Sequence, residues 1–202
     1  MSKSIRNLDD IILEASRTNN QNIVFLKTES KDSLKVHRGK YVDNESIKPY
    51  LLAGMLVRTS YLSFEYVLAK YNIIPERVNS FTSATVLKKH NNKITNCFGD
   101  FYYSDVPLKV FSYLVNIIKD GDNTYLEATK EKALCDLLYK EKPVYSIKSL
   151  KELLFNDLRV DKDEFLKLNF DDILSIALLY RKKNLNILYK YIKKEYKKWK
   201  QL

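Results

Sequence analysis

Glu131, Lys132 and Asp136 are the side chains of this sequence whose types and spacing come nearest to catalytic chemistry. Two acids and a lysine so close together suggest a nuclease-type metal site, with Asp100 as a further carboxylate. Their surroundings give a plainer account. Glu131 falls at the second position of a helix, where a negative charge suits the dipole, and Leu134, Leu137 and Leu138 recur as its buried stripe. Asp100 follows Gly99 in a strand turn, an ordinary place for aspartate. The chain has no Gly-x-x-x-x-Gly-Lys phosphate loop, no Gly-x-Ser-x-Gly elbow and no His-Glu-x-x-His, and its two histidines lie far apart. Neither a cofactor nor a metal is expected.

Electrostatics offers a stronger signal. Between Arg181 and Leu202 nine lysines or arginines face one acid, Glu195, so this stretch carries +8 of the chain's formal +10. At 100° per residue, Leu185, Leu188, Ile192, Tyr196 and Trp199 occupy one sector of a helix, and Lys190, Lys193, Lys194, Lys197 and Lys198 cover much of the opposite side. Two readings fit: a docked helix whose lysines keep its outer face solvated, or a cationic face that gathers a polyanion such as DNA. Interleaved Tyr189, Tyr191 and Tyr196 favour nucleic acid over a membrane surface, where Leu and Phe would insert better. A smaller cluster, Lys35, His37, Arg38 and Lys40, offers three full charges at neutral pH.

The elements that must position these groups are legible from periodicity. Leu8, Ile11, Ile12 and Ala15 mark a first helix ending near Thr18. Ile23–Leu26 and Leu34–Val36 then read as two strands joined by the polar turn Glu29–Ser33, with Arg38-Gly39 ending the unit. Ser46 begins a helix to about Val57. Ser63 caps another, with Phe64, Val67, Leu68 and Tyr71 as its buried stripe, and Pro75 closes it. From Val78 to Tyr103 the alternation predicts a hairpin around His90-Asn91-Asn92, and a second hairpin brackets Asp120-Gly121. After Pro143 the pattern is wholly helical: Leu150, Leu153, Leu154 and Leu158, then Phe170, Ile173, Leu174 and Ala177, then a last helix from about Leu185.

At 202 residues the chain can bury about 70% of its unfolded surface. Two cysteines without Cys-x-x-Cys spacing fit a reduced, cytoplasmic protein. No apolar run approaches the ~20 residues that span a bilayer, and acids occur between Met1 and Asp10 where a signal peptide would be apolar. The expected fold class is α+β: a small N-terminal helix-plus-hairpin unit over 1–45, then 46–202, made of a central helix-and-hairpin domain over 46–142 and a helical C-terminal part over 143–202.

Several segments resemble, in order, those of the AbiEi family of abortive-infection antitoxins: Arg38–Val42, Tyr61–Ala69, Ile73–Glu76, Ser80–Thr85, Phe98–Tyr103, Ala128–Leu138 and, more faintly, Leu153–Arg159. These are packing and turn signatures, specific as an ordered set. The resemblance implies a non-catalytic protein that counteracts a nucleotidyltransferase-like toxin through residues 46–202, with or without a stable complex, and that represses its own operon through its N-terminal unit. The toxin of such a pair carries Gly-Ser-x-x-x-Asp. This chain has four glycines and none in that context, so it resembles the antitoxin half. Lys35, His37, Arg38 and Lys40 lie where the family's winged helix places its wing. One helix and two strands precede Arg38 where a winged helix needs three helices, so a reduced winged-helix remnant is expected. The alternative is a nucleic-acid-binding regulator with no toxin partner. A third reading, an enzyme, requires Asp100, Glu131 and Lys132 to converge in a polar cleft.

Overall fold

The computed structural model describes residues 34–37, 40–42, 47–76, 79–86, 92–121 and 123–199. The expected first helix, the strand Ile23–Leu26 and the turn Glu29–Ser33 lie outside them, as do Arg38-Gly39 and most of the turn at His90–Asn92. The fold is α+β. A hairpin of β1 (Leu34–His37) and β2 (Lys40–Val42) stands beside a six-stranded mixed sheet. That sheet contains β3 (Ser60–Leu62), β4 (Ser80–Thr85), β5 (Asn92–Asn96), β6 (Gly99–Asp105), β7 (Val115–Asp120) and β8 (Asn123–Ala128), in the order β5-β6-β4-β3-β8-β7. The strand at Leu34 thus pairs with Lys40–Val42. Val36 and Val42 are buried, and Asn96 donates to the Val36 carbonyl at 2.8 Å, joining the hairpin to β5.

The hairpin expected around His90–Asn92 is corrected. β4 pairs parallel with β6 (Phe81 opposite Phe101) and antiparallel with β3, while β5 folds back on β6 across a two-residue turn at Cys97-Phe98. Alternation alone cannot name a partner. The turn does: Asn96 Oδ1 accepts from Phe98 N at 2.8 Å, and Gly99 takes a φ of 125° that a side chain would resist. The hairpin bracketing Asp120-Gly121 forms as the sequence implies, with Asp120 opposite Asn123 and Gly121 at a φ of 59°.

Helix α1 (Pro49–Leu56) starts three residues later than Ser46 suggests. Pro49 lacks an N–H and disfavours helical geometry at Lys48, so the helix opens with proline in its first turn. Tyr61 and Leu62 form part of β3, and α2 (Phe64–Lys70) follows directly. Pro75 does not end α2. A Schellman closure does: Asn72 is left-handed at a φ of 56°, Asn72 N donates to the Ala69 carbonyl and Ile73 N to the Leu68 carbonyl. Tyr71 therefore sits at the helix end, 38% exposed, and not in the stripe.

Short α3 (Leu108–Phe111) has no periodic signature in the sequence. α4 (Lys130–Lys140) opens on Thr129, whose hydroxyl accepts from Lys132 N. α5 (Ile147–Glu152) continues into a π-helical turn over Leu153–Asp157, followed by α6 (Lys162–Leu166), α7 (Phe170–Ile176) with a 3-10 turn over Ala177–Tyr180, and α8 (Lys183–Trp199). α4 is packed between α2 on one side and α7 and α8 on the other. In consequence every residue from Glu131 to Leu138 is buried, not one stripe. Among the described residues no helix is long and apolar enough to cross a membrane.

Candidate functional site

Asp136 lies at the junction of the two longest signature segments. Its Oδ2 accepts from Ser63 Oγ at 2.8 Å and Tyr61 Oη at 3.0 Å, and its Oδ1 accepts from Tyr180 Oη at 2.6 Å and Lys132 Nζ at 3.0 Å. Lys132 Nζ also donates to Tyr180 Oη at 2.7 Å and stands 4.8 Å from that ring's centroid. Neither partner of the ion pair has exposed side-chain surface. Burial pulls the Lys132 ammonium below its ordinary range, while Asp136 draws it back up. The Tyr61 and Tyr180 hydroxyls are pushed well up by burial first and by the Asp136 charge second, and burial likewise raises the Cys135 thiol. This is a closed, satisfied network. It holds α4 to β3 and to the turn before α8, and gives a substrate no entry.

Ser63 is consequently not the side-chain cap of α2. Its hydroxyl is committed to Asp136, and the N–H of Tyr66 is taken by Thr82 Oγ1 at 3.0 Å, whose own proton goes to the Ser63 carbonyl. β4 thus supplies the cap, and Phe64 is held at a φ of 55° in the sharp strand-to-helix turn. A bulky residue adopts that conformation only where its surroundings over-determine it.

A cleft of about 860 Å3 opens beside this network. Its lining includes Glu65 of α2, Glu76 after it, Thr82 of β4, Tyr102 of β6, Leu137 of α4 and Asp157 of the π-turn. Every signature segment from Tyr61 onward therefore contributes, and only Arg38–Val42 does not. Charges of both signs line it, Lys93 and Lys140 against Glu65, Glu76 and Asp157. Lys140 Nζ lies 3.5 Å from Glu65 Oε1, whereas Glu65 Oε2 is buried without a hydrogen-bond partner.

The three groups of the enzyme reading do not converge. Asp100 accepts from Thr95 Oγ1 at 2.7 Å and pairs with Lys93 at 3.0 Å, Glu131 Oε1 accepts from Asn169 N at 2.9 Å, and Lys132 is sealed against Asp136. Among the described residues no group of three or more His, Cys, Asp or Glu could hold a metal ion.

The two basic clusters occupy separate elements. Lys35 and His37 are exposed on β1, with His37 opposite Lys40 in the ladder; Arg38 and the side chain of Lys40 lie outside the described residues. On α8, Leu185, Leu188 and Ile192 are fully buried while Lys190, Lys193 and Lys194 are exposed, in keeping with the amphipathic pattern. Lys193 Nζ stands 5.8 Å from the Tyr189 ring. Tyr191, counted above among residues favouring nucleic acid, is buried and stacks on Phe165. The side chains of Tyr196, Lys197, Lys198 and Trp199 lie outside the described residues. β1 packs against β5, and α8 against α4, α5 and α7.

Sequence reasoning missed Tyr61, Ser63 and Tyr180 as partners of Asp136, and Thr82 as a cap. Tyr180 lies 44 residues from Asp136, and no spacing rule reaches that far. The signal available was the surplus of 15 tyrosines. No protein-family model matches the chain, and no curated protein matches it either.

Proposed function

We propose that this chain is the antitoxin of an abortive-infection pair, a non-catalytic cytoplasmic protein that counteracts a nucleotidyltransferase-like toxin. One observation carries the reading: the signature segments from Tyr61 to Arg159, distant in sequence, line a single cleft that carries charges of both signs. A cleft with charges of both signs suits recognition of another protein's polar groups. The sealed Lys132–Asp136 pair supports a structural role for the acids and lysine of α4. Autorepression rests on the β1–β2 hairpin, whose exposed Lys35 and His37 suit phosphate contacts from a winged-helix remnant.

The second reading, a nucleic-acid-binding regulator without a toxin, is favoured by the exposed Lys190, Lys193 and Lys194, for which the described residues contain no ion pair. Co-expression separates the two. The full chain should restore growth to cells making the toxin of the neighbouring reading frame, and a Glu65→Gln/Lys140→Gln variant should lose rescue at an unchanged melting temperature. Growth arrest undiminished by the folded wild-type chain sinks the antitoxin reading.

A further inference from the structure

The helical C-terminal part holds a second cavity, of about 460 Å3, that none of the chemistry above uses. Its floor is aromatic. The Phe165 and Tyr191 rings stack at 6.3 Å and 17°, and Phe155 meets Phe165 edge-on at 5.6 Å and 89°. Three lysines, Lys148, Lys151 and Lys162, stand at its rim against one acid, Glu152. None of the three joins an ion pair among the described residues. Instead Lys151 Nζ rests 4.9 Å from the Tyr191 centroid and Lys162 Nζ 5.7 Å from that of Phe155.

Those two contacts define what the cavity prefers. A ring face that holds an ammonium looks into the cavity, and the same face accepts a flat π-system. A planar group sliding onto Tyr191 or Phe155 displaces the ammoniums, which then need an anion. A nucleoside phosphate supplies both parts at once: a base for the rings and phosphate oxygens for the lysines. The exposed Asn156 amide beside Phe155 offers a donor and an acceptor for a base edge. The π-helical turn over Leu153–Asp157 carries both residues, and such turns recur at ligand sites.

We infer that this cavity binds a free nucleoside phosphate, its base against Tyr191 and Phe155 and its phosphates on Lys148, Lys151 and Lys162. The size fits: small-molecule sites run to roughly 300–1,000 Å3, and this one holds a single base and sugar. An acidic peptide fits less well, because every lining residue lies on a helix or helical turn, leaving no strand edge for an extended chain. The site does not rest on the antitoxin reading: although both border the π-turn, it shares no lining residue with the signature cleft.

Calorimetric titration of the full chain with ADP and with pyrophosphate at one salt concentration tests the assignment. ADP should bind about tenfold tighter than pyrophosphate, the difference a single stacked base contributes. Phe155→Leu keeps the apolar bulk and removes the flat face, so it should erase that advantage and leave pyrophosphate binding unchanged. Lys151→Gln/Lys162→Gln should weaken both ligands, and Lys109→Gln, on α3, neither. Equal affinity for ADP and pyrophosphate, or ADP binding indifferent to the double lysine change, overturns the proposal. So does an acidic peptide or a (dT)12 strand that binds through these lysines while ADP does not bind.

Discussion

Lys132 and Asp136 stand one helical turn apart on α4, Nζ to Oδ1 at 3.0 Å, with no exposed side-chain surface on either. Their environments are unequal. Asp136 also receives three hydroxyl protons, from Tyr61, Ser63 and Tyr180, whereas Lys132 has one acceptor besides the carboxylate, Tyr180 Oη. Removing the acid should therefore hurt more than removing the base. Asp136→Asn should cost roughly 3–5 kcal/mol by urea denaturation, the usual penalty for stranding a buried charge, and Lys132→Met less. The double variant Lys132→Met/Asp136→Asn should be more stable than the sum of the single losses implies. Strict additivity would show that the two side chains do not interact.

The same pair has a pH signature. Burial lowers the Lys132 pKa from 10.5, and losing Asp136 removes what holds it up, so it falls further. With a depressed folded pKa, the unfolded chain binds more protons between that pKa and 10.5, and stability must rise with pH across that window. Asp136→Asn should thus recover part of its deficit between pH 7 and 9 relative to wild type. A deficit constant over that range would mean that Lys132 stays protonated in the folded variant up to pH 9, as in the wild type.

Glu131 separates structure from chemistry on the same helix. Its Oε1 accepts from Asn169 N at 2.9 Å, fastening α4 to the start of α7. Glu131→Gln preserves a carbonyl acceptor and should cost little. Glu131→Ala orphans a partly buried N–H and should cost about 1–3 kcal/mol. Thermal melts of both variants, set beside their growth rescue, give the answer: a Gln variant that melts normally yet fails to rescue assigns the carboxylate a functional role.

What was legible in advance depended on how locally each feature is encoded. The Asp120-Gly121 turn, the place of Glu131 at the second position of α4 and the apolar sector of α8 as far as Ile192 are written in adjacent residues or at helical spacing, and they formed as read. The β4–β6 pairing was not legible, because Phe81 pairs with Phe101 although β5 lies between them in sequence, and any alternating segment could have served. The candidate site divides along the same line. Lys190, Lys193 and Lys194 follow from periodicity, whereas the signature cleft exists only where α2, β4, β6, α4 and the π-turn meet.

Acid should weaken the link between α1 and the β7–β8 turn. Asp120 accepts from Lys48 Nζ at 2.8 Å and Tyr50 Oη at 2.6 Å, and those two hydrogen bonds hold its carboxyl below the ordinary 3.8. Asp100 is lowered likewise by Thr95 and then Lys93. A depressed folded pKa gives stability that is complete above the unfolded value and lost as pH falls through the folded one. The melting temperature should hold from neutrality to about pH 5 and drop below 3.8. Asp120→Asn should make that acid limb shallower in a calorimetric pH series, and an identical limb would remove Asp120 from the account.

Nucleic-acid affinity should reside mainly on α8. Lys190, Lys193 and Lys194 are exposed there above a fully buried Leu185, Leu188 and Ile192, so their charges can change without touching the core. Each lysine that meets a phosphate on duplex DNA releases condensed counterion and adds about 0.9 to the fall of log K with log salt. Changing all three to Gln should therefore flatten the slope by up to about three units, nearly equally for any sequence, and leave the melting temperature close to wild type. The hairpin gives the opposing result a clear form. If the triple variant keeps its slope while Arg38→Ala alone abolishes tight binding to one operator, DNA is read at the β1–β2 turn and the α8 lysines are a solvated face.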